Sequence, residues 1–264
     1  MNRILIVLFL LLPYAHEVYA QQDSPQGVYL GLQGGFGYGL YRDFGASPLT
    51  YRGLELTPGL SVNVERTHWR FKAALGLQGG GYGYRVGLSS MHAYGGQLAL
   101  DFEALHLLHH SGRWQLWAGS SVGGRGDIRY NTSLGNAGVG FANFVNLNLI
   151  GRAEMTLGRW KLHGQMALTP ASLLLRPGFA YMDNYDRDIS NPVANFLNQY
   201  HFYLSAFTAI STDLGIALML NNGNRLGLSY AWHYMTSRAT ETPAAPFRFE
   251  QAGHALLFQL DFKI

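Results

Sequence analysis

Ten stretches of this chain alternate residue by residue, and in each of them one of the two faces carries no Asp, Glu, Lys or Arg. Taking every second residue, the charge-free faces run Val28 to Leu40, Leu54 to Val64, Trp69 to Gly79, Tyr94 to Ala104, Trp114 to Gly124, Val145 to Leu157, Trp160 to Leu168, Phe202 to Leu220, Leu226 to Tyr234 and Leu256 to Ile264. Charged residues make up 13% of the chain, so faces of that combined length would hold several by chance. A period of two sustained this long specifies strands, because successive side chains of a strand point to opposite faces. A charge-free face beside a charged one suits a wall between hydrocarbon and a polar interior. The expected fold class is therefore all-β, a single antiparallel transmembrane β-barrel of about ten strands. A soluble β-sandwich, which also hides one face of each strand, is the competing architecture.

The first twenty residues have the layout of a secretory signal, with Arg3, an apolar run from Ile4 to Leu12 and a small-residue site at Val18-Tyr19-Ala20. Residues 1–20 are expected to be a signal peptide and residues 21–264 the barrel domain. The apolar run is too short for a spanning helix, and no later stretch supplies about 18 uninterrupted apolar residues. The sequence has no cysteine, so it forms neither a disulfide framework nor a thiolate metal site. No cofactor motif stands in it either. A net charge of +3 scattered along the chain gives no basis for binding nucleic acid.

Short and long connections alternate between the strands. Arg66-Thr67, His110-Ser111-Gly112, Gly158-Arg159 and Asn222-Gly223-Asn224 are hairpin lengths, and the Gly and Asn in three of them tolerate the positive φ such turns need. The others, at 44–50, 87–90, 131–140, 171–199 and 238–250, are longer. This is the pattern of tight periplasmic turns and extended extracellular loops, and it puts both mature termini on the periplasmic side. Trp69, Trp114 and Trp160 each open a strand after a short turn, on the charge-free phase; Tyr38, Tyr94, Trp232 and Tyr234 hold that phase near the opposite ends. Two belts of interfacial aromatics are expected of a membrane barrel and not of a sandwich. The carboxyl end, Leu256 to Ile264, resembles the terminal strand that bacterial outer-membrane proteins present to their assembly machinery, with Ile264 where Phe or Trp is usual. Over its whole length the strand pattern resembles the bacterial outer-membrane β-barrel superfamily. That resemblance implies a Gram-negative outer membrane as the location, outer-membrane lipids as the surroundings, and the assembly machinery as a partner during biogenesis.

Two features strain the pattern. Pro58 lies inside the second strand, where it removes a ladder hydrogen bond and predicts a bulge or local break. The stretch from His201 to Leu220 is long for a span; it is read as one projecting strand, with a turn at 211–213 as the alternative.

The opposite phase holds the charges. Arg70, Lys72, Arg113, Arg125, Arg129, Arg152, Lys161, Arg225 and Lys263 stand against Glu55, Glu65, Asp101, Glu103, Asp127, Glu154, Asp213 and Asp261. Near balance in a confined lumen predicts a cross-linked interior rather than a one-sign selectivity filter, and ten strands lie near the filled end of barrel sizes. A three-residue loop at 222–224 would place Asp213 opposite His233. A turn at Gly158-Arg159 places Glu154 opposite His163 and Arg152 opposite Gln165. A carboxylate and imidazole pair such as Asp213 with His233 is the weak catalytic candidate; its plainer role is to satisfy two polar groups inside the barrel.

Other chemical readings rest on less. Outer-membrane phospholipases and lipid A deacylases carry a His-x-Ser arrangement, which His109 and Ser111 match, but at a short turn rather than near the outer rim. Omptin proteases are ten-stranded, with carboxylates and an Asp-His pair at the extracellular mouth. Asp183, Asp186 and Asp188, with His201 beyond them, are the corresponding loop candidates, and weak metal candidates through their oxygens. Their spacing matches no EF-hand. The runs Gly34 to Gly39 and Gly79 to Tyr84 lie in strands with no helix after them, so they are read as sites of curvature covered by aromatic neighbours rather than phosphate cradles.

The functional expectation is a barrel with a narrow or occluded lumen, serving as a noncatalytic structural or accessory subunit of an envelope complex. The loop 171–199 carries Leu173, Leu174, Leu175, Phe179, Tyr181 and Phe196, apolar anchors for an envelope protein partner or an inward plug. A narrow channel for small polar solutes and a surface hydrolase of lipid or peptide are the alternatives.

Overall fold

A computed structural model describes residues 26–43, 47–86, 89–132, 139–177, 200–239 and 247–264. The described residues contain eleven strand segments and no helix. They are β1 (Gly27–Asp43), β2 (Ser47–Leu56), β3 (Gly59–Glu65), β4 (Trp69–Val86), β5 (Ser89–Ser111), β6 (Trp114–Asn131), β7 (Val139–Leu157), β8 (Trp160–Pro177), β9 (Tyr200–Met219), β10 (Arg225–Ala239) and β11 (Phe247–Lys263). Every pairing is antiparallel and joins chain neighbours, apart from β1 with β3, β2 with β4, and β11, which returns to β1 and closes the cylinder.

Pro58 explains why eleven segments make a ten-stranded barrel. β2 and β3 both pair with β1 on one side and β4 on the other, and the registers run straight through the gap: Phe36 faces Leu56 while Gln33 faces Gly59, and Gly79 faces Leu56 while Gly76 faces Gly59. The Leu77 amide donates to the Pro58 carbonyl at 2.8 Å. Proline has no N–H to return to Leu77, so the ladder opens there without slipping. The expected interruption is a break, not a bulge. Bulges occur instead between Leu107 and His109 on β5, and around Pro170 on β8, whose register shifts against both neighbours.

The alternation read from the sequence is the alternation of the wall. Phe36, Leu54, Phe102, Trp114, Leu147 and Phe258 stand exposed on the outer surface, Leu54 to 73%. Trp69, Trp114 and Trp160 lie exposed at the end with the short turns, where the Trp69 ring meets His106 edge-on at 4.7 Å. Near the other end His254 sits between Tyr38 and Tyr230, each 6.0 Å away, beside exposed Trp232 and half-buried Tyr234. Rings with a polar edge at both rims and aliphatic side chains between them are the surface a bilayer requires.

Glycine sets the curvature. An added Cβ at Gly53 would fall 1.9 Å from the Gly81 carbonyl oxygen, and one at Gly80 would fall 2.0 Å from that of Leu54. β2 and β4 thus approach more closely than side chains on the inner face permit. A ring covers the backbone nearby, with Tyr82 in the space beside Gly95.

Several sequence expectations need correction. The short turns are Arg66–His68, Gly112–Arg113, Gly158–Arg159 and Leu220–Asn224, with Gly112, Gly158 and Gly223 at φ of 56°, 60° and 82°. The last is longer than the expected 222–224 because the Leu220 amide donates to the Asn224 carbonyl. Its length moves the β9–β10 register: Asp213 faces Ala231, and His233 faces Ser211. β9 is one strand with no turn at 211–213. The long connection begins later than 171, since Ala171–Pro177 completes β8, pairing Leu173, Leu174 and Leu175 with both β7 and β9. Phe179, Tyr181, Asp183, Asp186, Asp188 and Phe196 lie outside the described residues.

Candidate functional site

The lumen is where the sequence concentrates ionisable groups, and it divides into three levels. At the short-turn end, Glu154 of β7 is 1% exposed and faces inward because its neighbours Ala153 and Met155 face the wall. Arg70 of β4 reaches across the lumen to donate to its Oε1, Arg152 Nε donates to the same oxygen at 2.7 Å, and Lys161 Nζ lies 2.9 Å from Oε2. Arg70 also lies 4.0 Å over the ring of Trp117, which is buried with Leu105, Leu107 and Ile150. Beside this group Arg225 makes a two-pronged contact with Glu65, at 2.7 and 2.6 Å, and covers the Tyr29 ring at 3.8 Å. Paired planar forks of this kind are among the stronger and more directional hydrogen bonds. Asp261 accepts from Gln259 at 2.8 Å.

Just inside that level, Gln165 links the two sides: it accepts from Arg152 at 2.9 Å and donates to Glu103 at 3.0 Å. His163 bonds Asp213 at 2.8 Å, and Ser229 donates to the other Asp213 oxygen at 3.2 Å. The middle of the lumen holds Asp101, Arg125 and His233 around a cavity of about 170 Å³. The long-loop end is aromatic. Tyr41 stacks on Tyr51 with centroids 5.0 Å apart, and Arg129 is held between the Tyr41 and Phe249 rings at 4.2 and 4.3 Å while donating to Asp127. Tyr82 and Gln78 both donate to Glu55.

The predicted register for β7 and β8 is found, with Arg152 opposite Gln165 and Glu154 opposite His163. The partners differ, since Glu154 takes three cations and His163 takes Asp213. The Asp213–His233 pair does not form. Lys72, Asp101 and His233 face the lumen but enter no hydrogen bond among the described residues. Arg113 and Lys263 are exposed at the rim, not inside. Sequence reasoning missed the inward aromatics Tyr29, Tyr41, Tyr51, Tyr82, Trp117, Phe144 and Phe249, although each stands on the charged phase of its strand. The cross-lumen pairs Arg70–Glu154 and Arg225–Glu65 had no local signal.

This arrangement does not assemble an acyl-transfer site. In the group of His163, Asp213 and Ser229 the carboxylate is central and both others bind it, so no imidazole is placed against the hydroxyl to take its proton. His109 and Ser111 are exposed at the short-turn end, where the His110 ring contacts the Gly112 carbonyl at 3.2 Å. Among the described residues no three His, Asp or Glu converge as metal ligands.

No protein-family pattern and no curated protein matches the sequence. Among solved structures the chain is similar to the outer-membrane protease OmpT from Escherichia coli, at 8% identity and a TM-score of 0.57, over 93% of this chain and 99% of that one. It also aligns with the translocator domain of the autotransporter NalP from Neisseria meningitidis, at 10% identity and a TM-score of 0.48, over 99% of this chain and 96% of that one. At such identities the likeness to the outer-membrane protease shows the fold alone, a closed antiparallel β-barrel.

Proposed function

We propose that this chain works in the outer membrane as a closed barrel, a noncatalytic structural or accessory subunit of an envelope complex, with its termini on the periplasmic side. One observation carries the reading: the Glu154 carboxylate gathers Arg70, Arg152 and Lys161 across the lumen at the short-turn end, with Arg225–Glu65 beside it. Opening a bore there would leave buried charges without partners, a cost of several kcal/mol per pair. A second layer, the Tyr41, Tyr51, Arg129 and Phe249 group, fills the opposite end. A barrel filled at both ends, with no reacting constellation among its described residues, meets a protein partner through its outer surfaces. The β8–β9 connection, with Phe179, Tyr181 and Phe196, supplies apolar anchors for an envelope protein.

Purification from native membranes in mild detergent, followed by single-channel recording of the isolated protein, tests this. The expected results are a stoichiometric envelope protein and no stable conductance. Steady conductance altered by Arg152→Ala would make the protein a narrow channel for small polar solutes. A lipid- or peptide-cleaving activity lost in Asp213→Ala would make it a hydrolase.

A further inference from the structure

The middle of the lumen contains opposite charges that the protein does not bring together. Asp101 of β5 and Arg125 of β6 are diagonal neighbours on the inner face, since Asp101 faces Gly123 and Ala99 faces Arg125. Diagonal neighbours lie roughly 7 Å apart, within reach of a long side chain. Both line the same cavity of about 170 Å³, yet neither makes a hydrogen bond or ion pair with the described residues. Elsewhere in the lumen the carboxylates Glu65, Asp127 and Glu154 are all in direct contact with cations. The room arises from small residues at inward positions: Ala74 and Gly123 flank Asp101, and Ala99 flanks Arg125.

Donors beside Arg125 are also left over. Asn146 uses its Oδ1 to accept from Ser172 at 2.7 Å, which turns its amide nitrogen to other use. Ser211 lines the cavity without a partner among the described residues. The His233 ring occupies the space where Gly253 has no Cβ, and its Nε2 is buried with no hydrogen bond. A guanidinium, an amide and a hydroxyl on one space suit a carboxylate, and Asp101, diagonal to Arg125, suits an ammonium group. Unpaired charges inside a barrel are costly, so a ligand that answers both at once gains more than one that answers either alone.

We propose that the middle of this barrel is a binding chamber for a small zwitterion, an α-amino acid or a compound of that size bearing one carboxylate and one ammonium group. The carboxylate meets Arg125, Asn146 and Ser211, with the His233 ring closing the wall beside them; the ammonium meets Asp101. The volume admits a ligand of roughly five to ten non-hydrogen atoms and excludes peptides and sugars of more than one unit. The chamber stands apart from the closed-barrel reading, because binding is measured without reference to conductance.

The test is equilibrium dialysis of the purified full chain in detergent against labelled glycine and L-alanine, with acetate and methylamine as separate half-ligands. Saturable binding of a zwitterion at least ten-fold tighter than either half-ligand is expected. Arg125→Gln and Asp101→Asn should each weaken it at least ten-fold. Ala209→Leu, which fills the chamber and leaves both charges, should abolish it and decides the matter if a charge variant does not fold. Absence of saturable binding would overturn the proposal. So would acetate binding as tightly as glycine and unaffected by Asp101→Asn, or binding that survives Ala209→Leu.

Discussion

Glu154→Gln is the most informative single change in this barrel. Glutamine keeps the volume and one acceptor oxygen, so the change isolates charge. In the native lumen three cations, Arg70, Arg152 and Lys161, share that one carboxylate, which is 1% exposed. Two unit charges about 5 Å apart repel by roughly 3 kcal/mol at an effective dielectric constant near 20. Without the carboxylate that repulsion is uncompensated among three neighbours, and removing one partner of a buried ion pair costs about 3–5 kcal/mol even for a single pair. We expect Glu154→Gln to lose about 3–5 kcal/mol, measured by urea unfolding of protein refolded in lipid vesicles and followed by tryptophan fluorescence. Arg70→Met in the same background should recover part of the loss, since contacting members of one network are non-additive by about 0.5–3 kcal/mol. A loss below about 1 kcal/mol, or strict additivity of the two changes, would refute the view that this carboxylate holds the lumen together.

Three further outcomes follow from the wall. Leu100→Arg, on the hydrocarbon face of β5, should cost about 2–4 kcal/mol in vesicle-supported unfolding. Pro58→Ala should restore the missing donor to the Leu77 carbonyl and stabilise by about 0.5–1.5 kcal/mol, with slowed amide exchange across β2 and β3; unchanged exchange there would count against an intact register through the gap. Gly80→Ala, whose Cβ would meet the Leu54 carbonyl oxygen, should block assembly of the compact form that folded barrels show on unheated detergent gels.

The period-two pattern made the wall legible because it is a property of each strand taken alone. The phase of the strands and the aromatic belts were available from it, while Pro58, lacking an N–H, marked where the second strand would be interrupted by a bulge or a break. Register was legible only where the turn was: Gly158-Arg159 placed Arg152 against Gln165, while a misjudged turn after Leu220 moved Asp213 away from His233. Contacts across the lumen join strands distant in both sequence and sheet order, as in Arg70 with Glu154, and depend on the closed shape of the cylinder. The inward aromatics were hidden for another reason. A tyrosine is equally at home against hydrocarbon or in a polar lumen with its hydroxyl bonded, as Tyr51 is to Asn131 at 2.7 Å.

The junction of β1 with β11 differs in kind from every other pairing. All the rest join segments that are adjacent along the chain or separated by one, and they form as local hairpins or after that single intervening segment. Tyr29 meets Lys263, and Asp43 meets Phe249, only after nearly the entire polypeptide has been laid down. Loop closure of that length costs about 5 kcal/mol of chain entropy before any of the fifteen residue pairs there contributes. Until it forms, both edges offer unpaired amides and carbonyls to whatever strand is nearby. Folding speed and the risk of mispairing in this protein are therefore governed at that one seam.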